Sequence, residues 1–195
     1  VQNKPEIAKA VKSGKAFFGT IDSWLLYKLT GGKSFLTDHT NASRTLLFNI
    51  NNLRWDDFLL DKFGLNGINL PKVTQSSGNF GETDFEGLLS AKISINGMIG
   101  DSHAAAFGEG CFQSGMAKAT LGTGSSILMN VGDSPKASKS GMMSTICWSL
   151  PGRVDYALEG VIVSAGATIQ WMRDQLELFA DSAETEAMAT SVENN

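Results

Sequence analysis

Apolar positions along the chain mark helices and a short strand in its first part and, after an irregular stretch, mainly short strands before a final helix. Residues 7–30 read as a helix, a buried stretch over 16–20, and a second helix. Asp22 is placed to cap the second helix and Thr30-Gly31-Gly32 to end it. Residues 34–38 have strand character, and 55–64 read as a short helix stopped by Gly64. From 71 to about 87 the chain is rich in Gly, Ser, Asn and Asp, which predicts an irregular stretch at a domain edge.

Beyond it, 93–95 and 98–99 read as short strands, followed by Gly100-Asp101 and the alanine-rich helix formers of 104–107. Residues 116–121 and 127–131 are strand-like and joined by Gly122-Thr123-Gly124-Ser125-Ser126. A second strand pair, 143–150 and 154–159, turns at Pro151-Gly152-Arg153. The longest helix is expected after Gly166, with apolar positions Ile169, Met172, Leu176 and Phe179. Strands mixed with helices predict an α/β fold.

Composition narrows the function. Of 195 residues, 42% are hydrophobic and 18% charged, the balance of a globular chain. Sixteen basic and 20 acidic residues give a net charge of -4, without a basic, aromatic-laced surface for nucleic acid. Cys111 and Cys147 have neither metal-site nor redox-motif spacing and read as reduced, buried thiols. No apolar run is long enough to span a membrane, and the start lacks a signal-peptide core, so a cytoplasmic location is expected. The first methionine is Met98 and the stretch 191–195 has no closing element, so an excised piece of a longer chain is expected.

Three glycine-flanked loops could carry chemistry. Asp101, where a strand hands over to a helix, could hold magnesium, take a proton from a hydroxyl, or merely cap the helix. Gly122-Thr123-Gly124 could converge its N–H groups and a hydroxyl on an anion, or be an ordinary hairpin turn. Residues 164–168 precede a helix, so free N–H groups are expected there. Gly166 would permit close approach of a ligand and Gln170 would stand one turn on, though a plain helix start reads the same. Asp101-Ser102-His103 cannot form a hydrolase relay, because consecutive helical side chains diverge. No Walker or Rossmann glycine loop is present.

Over nearly its whole length the chain resembles the FGGY carbohydrate kinases, above all their glycerol-phosphorylating branch. The resemblance is carried by 18–25, 37–45, 47–50, Gly100-Asp101, 116–118, 121–124, 156–160 and 165–171, in that order. It implies an actin-like ATPase (ribonuclease H-like) fold with parts of two domains, 1–95 finishing the first and 96–195 beginning the second. It also implies ATP and Mg2+ as cofactors and a small polyol or sugar as substrate; self-association is left open. Asp101 matches the family's catalytic base and lies by its magnesium. Gly122 and Thr123 match the contacts to the transferring phosphate, and Gly166 and Gln170 match positions that hold ADP.

Ser102 stands where glycerol-phosphorylating members carry Gln, and Ser126 where they carry Phe. Both changes predict a wider, more polar substrate pocket suited to a longer polyol or a ketose. His103 is expected to touch substrate or to lie on the helix surface. Residues 86–92 depart from the family's fructose bisphosphate loop, so that inhibition is not expected. Other phosphate and substrate elements of the family fall outside these residues, and the piece alone is expected to be inactive. The alternatives are an actin-like or chaperone-like ATPase without a sugar substrate and a non-catalytic interaction domain.

Overall fold

A computed structural model describes residues 3–193. Residues 1, 2, 194 and 195, including the start at Val1 and the last two positions of the closing stretch, lie outside the described residues. Helix α1 (Pro5–Lys12) opens on a proline, whose fixed φ suits the first helical position. Glu6 in its first turn and Lys9 and Lys12 in its last complement the helix dipole. Helix α2 (Ile21–Leu29) ends at Thr30, whose hydroxyl donates back to the Leu26 carbonyl, and the chain leaves through Gly31 and Gly32 at φ 62° and 80°.

Two expectations fail in this region. Asp22 does not cap α2: Thr20 holds the cap position without a side-chain bond, and Asp22 instead accepts from Thr37 Oγ1 at 2.6 Å. The stretch 16–20 is not buried, since Phe17 is 70% exposed. Its pairing is limited to an isolated parallel bridge between Phe17 and Asn69, so no sheet encloses it among the described residues.

Strand β1 (Leu36–Asp38) pairs in parallel with a later strand and runs directly into α3 (His39–Ser43). The Asp38 side chain caps α3 by accepting from the Thr40 and Asn41 N–H groups. Strands β2 (Phe48–Asn49) and β3 (Arg54–Trp55) form a small hairpin. Helix α4 (Asp57–Lys62) follows, capped by Asp56 and stopped at Gly64, where φ is 67°. The stretch predicted to be irregular holds two strands, β4 (Lys72–Thr74), the partner of β1, and β5 (Ser77–Thr83). Strand β5 pairs antiparallel with β6 (Ile93–Gly97), and Phe80 and Thr83 turn inward. Residues 98–99, expected as a strand, form none.

Helix α5 (Asp101–Gly108) leads into β7 (Ala117–Leu121), β8 (Ser125–Gly132), β9 (Met143–Leu150) and β10 (Arg153–Ile162). These four strands make an antiparallel sheet in the order β7-β8-β10-β9. Helix α6 (Gly166–Asp174) and α7 (Glu184–Thr190) close the described chain. Helix α6 stops before Leu176 and Phe179, contrary to the predicted stripe. None of its residues is fully buried, and Ile169 and Met172 are only half-buried, so the stripe has little packing to extend it.

Strand β9 is covered on both faces, which explains its run of buried residues from Thr145 to Ser149. On one side Ala106 of α5 packs with Cys111, Leu128, Cys147, Trp148 and Ala157. On the other, Ala42 of α3 and Phe48 pack with Ile146 and Tyr156, and the Tyr156 hydroxyl donates to the Ile50 carbonyl at 2.9 Å. Each large apolar side chain removed from water there contributes about 1.5–3 kcal/mol. Phe107 and Phe112 meet Trp148 edge-on, which seats the far end of α5 against the sheet and fixes where its first residue stands. Among the described residues no helix is long and apolar enough to cross a membrane.

Candidate active site

Gly100 adopts extended backbone geometry (φ -62°, ψ 143°) and occupies the cap position of α5, so Asp101 is the first helical residue. The Asp101 carboxylate is exposed and accepts a bond from the next N–H, that of Ser102, at 2.6 Å. Behind it the Gly100 N–H donates to Thr40 Oγ1 at 2.8 Å, tying this turn to α3. A Cβ there would stand 2.9 Å from His103 Nδ1, so a larger residue would have to displace that buried ring.

His103 is 3% exposed, so the expectation of a surface histidine fails. Both ring nitrogens and Ser102 Oγ are buried without a hydrogen-bond partner among the described residues. Burial holds the His103 pKa below the ordinary value, with Glu159 pulling the other way, and the ring is neutral near pH 7. The signal available in the sequence was its helical offset from Ala106, which is also buried.

The second and third loops meet each other. Ala165 and Ala167 N–H donate to the Thr123 carbonyl at 2.8 and 3.1 Å, and Gly166 N–H donates to the Gly122 carbonyl at 2.9 Å. The N–H groups expected to be free at the start of α6 are therefore taken, because the glycine loop turns its carbonyls toward them. Gly124 lies flush against the next strand end, where a Cβ would stand 2.9 Å from the Ile162 and Val163 carbonyl oxygens. The donors of this loop that have no partner among the described residues are the N–H groups of Thr123 and Gly124 and the Thr123 hydroxyl.

A cavity of about 430 Å³ opens between these loops, lined by Leu121, Gly122, Thr123, Ser125, Ala165, Gly166 and Gln170. It brings together Gly122, Thr123, Gly166 and Gln170, four of the residues picked from the sequence. Ser125 was missed, although period-two alternation puts it on the opposite face of β8 from Ser126. Ser126 is half-buried and opposite Val161 on one side and Thr120 on the other. Asp101 and Ser102 do not line this cavity.

Among the described residues no group of three or more His, Cys, Asp or Glu side chains could hold a metal ion. Asp101 fits a magnesium ion only in the manner of a single exposed carboxylate that shares the ion with substrate phosphates and water.

The model of the FGGY family of carbohydrate kinases, N-terminal domain, matches residues 1–108. Glycerol kinase of Bacillus mycoides (strain KBAB4) is 50% identical over 183 residues, 94% of this chain and 37% of that protein. Glycerol kinase of Symbiobacterium thermophilum is 48% identical over 192 residues, 98% of this chain and 38% of that protein. A crystal structure of Plasmodium falciparum glycerol kinase with ADP superposes with a TM-score of 0.88 at 37% identity, covering 99% of this chain and 38% of that one. A ligand-bound xylulose kinase of Lactobacillus acidophilus shares the fold alone, with a TM-score of 0.72 at 24% identity over 88% of this chain and 35% of that one. The chain thus spans under two fifths of the length of these two bacterial relatives.

Proposed function

Because the chain belongs to the FGGY family of carbohydrate kinases, whose members have the actin-like ATPase fold, we propose that its parent protein transfers the γ-phosphoryl group of ATP to a hydroxyl of glycerol or a related polyol or sugar. The observation that carries this reading is the joining of the Gly122–Gly124 loop to the start of α6 around one cavity, with an exposed carboxylate at the start of α5. In this reading Asp101 accepts the proton of the substrate hydroxyl as that oxygen bonds to the γ-phosphorus and ADP leaves. The Thr123 hydroxyl and the Thr123 and Gly124 N–H groups donate to the transferring phosphate. Gly166, lacking a Cβ, lets the Gly122 loop close on the start of α6, and Gln170 offers an amide beside the nucleotide. When bound through Asp101 and the nucleotide, magnesium supplies positive charge to offset that of the phosphates.

The division into a first part, 1–95, and a second, 96–195, belongs to the same proposal. So does the substrate preference: Ser102 and Ser126 give short hydroxyl side chains where a long amide and an aromatic ring would narrow the site, favouring a substrate longer than glycerol. The deciding experiment is ADP release by the full-length parent on glycerol, erythritol, ribitol, xylulose and ribulose, with wild type and Asp101→Asn. Turnover stimulated by one of them and abolished in the variant supports the kinase and its base. ATP hydrolysis equal with and without every substrate replaces it with a conformational ATPase.

A further inference from the structure

We infer that Thr40 and Asp38 are positioning residues for Asp101, an inference that rests on the reading of Asp101 as the base. Asp38 is 0% exposed, and among the described residues no cation is paired with it. Its carboxylate is held by neutral donors: Thr40 N–H at 3.1 Å, Thr40 Oγ1 at 2.8 Å, Asn41 N–H at 3.0 Å, Asn41 Nδ2 at 2.8 Å and Ser76 Oγ at 2.6 Å. Burying a charge on neutral partners alone costs stability rather than adding it, so its placement calls for another reason.

The reason lies in what Thr40 does with its other side. Its hydroxyl has one proton, given to Asp38, and a lone pair that accepts the Gly100 N–H at 2.8 Å. An oxygen whose proton is drawn toward a carboxylate is a stronger acceptor, so the buried charge tightens the hold on Gly100. The His103 ring also crowds Gly100, with Nδ1 2.9 Å from where a Cβ would stand. The next residue is Asp101, whose exposed carboxylate makes no bond among the described residues beyond its neighbour's N–H. Its position is therefore set by the backbone it leaves from.

The same carboxylate is tied into the sheet. Ser76 Oγ accepts from Ser149 N–H at 3.1 Å, Ser149 Oγ accepts from Ser76 N–H at 3.0 Å, and His39 Nδ1 lies 2.9 Å from Ser149 Oγ. Asp38 thus gathers the end of β1, the lead into β5, the end of β9 and the start of α5 at one point. A helix cap needs only the bonds to Thr40 and Asn41 N–H. The bond that reaches 60 residues onward, to Gly100, serves α5.

The test uses the full-length parent with saturating ATP and its best polyol or sugar. Thr40→Val keeps the shape and removes the hydroxyl; kcat is expected to fall about 10- to 100-fold while both KM values stay within about threefold. Thr40→Ser restores the hydroxyl and is expected to return kcat to within about threefold of wild type. A folded Thr40→Val with wild-type kcat, a change in KM alone, or failure of Ser to rescue overturns the inference. If Thr40→Val yields no folded protein, Ser76→Ala, which frees Asp38 from its tie to β9 by removing the hydroxyl that bonds both Asp38 and Ser149 N–H and leaves Thr40 in place, decides. A several-fold fall in kcat at unchanged KM supports the inference, and wild-type kcat overturns it. Asp101→Asn separates the two levels: an active Asp101→Asn removes the base reading itself, whereas an inactive one beside an unaffected Thr40→Val removes only the positioning role.

Discussion

Gly166 and Gly122 approach so closely that a Cβ on Gly166 would stand 2.7 Å from the Gly122 carbonyl oxygen. The obstructing atom is backbone, so no rotamer change relieves it, and either the loop or the first turn of α6 must move. Gly166→Ala in the parent protein is expected to weaken ADP binding by about tenfold or more, about 1.4 kcal/mol, read by calorimetry. Gly108→Ala, an exposed position where an added Cβ meets nothing within 4 Å, is the control and should bind as wild type.

Arg44 of the segment following α3 pairs with Glu159 of β10, with side-chain exposures of 41% and 6%. Arg44→Ala leaves a nearly buried carboxylate without its cation and is expected to cost about 1–3 kcal/mol, less than a fully buried pair because water reaches the arginine. Glu159→Gln keeps an acceptor for Arg44 and leaves no buried charge, so its loss should be smaller. Urea unfolding of both variants checks the order.

Burial holds the His39 pKa below its ordinary 6.5, against an opposing pull from the Asp38 carboxylate. The unfolded chain then takes up the proton first as pH falls. Stability from this group is whole above about pH 6.5 and is lost between there and the lower folded pKa. Melting temperature should fall from about pH 7.5 to about 5.5, and His39→Gln should flatten that slope. Equal slopes in both proteins would remove His39 as a source of it.

Cys147 is 0% exposed, and burial with the nearby Asp155 charge pushes its thiol up to about 12. Cys111 is 4% exposed. Neither should react with a maleimide in the native protein, and both should react in denaturant, as mass spectrometry of the peptides would show.

Ser102→Gln combined with Ser126→Phe is expected to raise kcat/KM on glycerol about tenfold and to lower it on a five-carbon substrate. Steady-state rates on both substrates test this. No gain on glycerol would separate these positions from substrate choice.

Elements set by local chemistry were legible in the sequence. The Gly31-Gly32 stop, the β9–β10 turn at Pro151-Gly152 and the handover at Gly100-Asp101 need only residues adjacent in sequence. Elements set by distant partners were not. The Gly- and Ser-rich segment around β5 is a strand because β6 supplies its hydrogen bonds, and no local preference reports that. Phe17 and Phe18 carry the signature of a core that the described residues do not build around them. In the candidate site, Gly122 and Thr123 were found because a glycine-flanked loop between two strands is recognisable, and Gly166 and Gln170 because a glycine at a helix start is. That the loop's carbonyls fill the donors of α6 depends on how two segments over 40 residues apart fold together. The link from Thr40 to Gly100 was invisible for the same reason.

The enclosure of β9 between α3 and α5 bears on motion. Ala42, Phe48, Ile146 and Tyr156 share one interior, and prising α3 from the sheet would open that interior to water and strand Glu159. A hinge placed across this seam would break a core each time it moved. The seam instead joins α3, β9 and α5 into one packed unit, and a hinge belongs outside it.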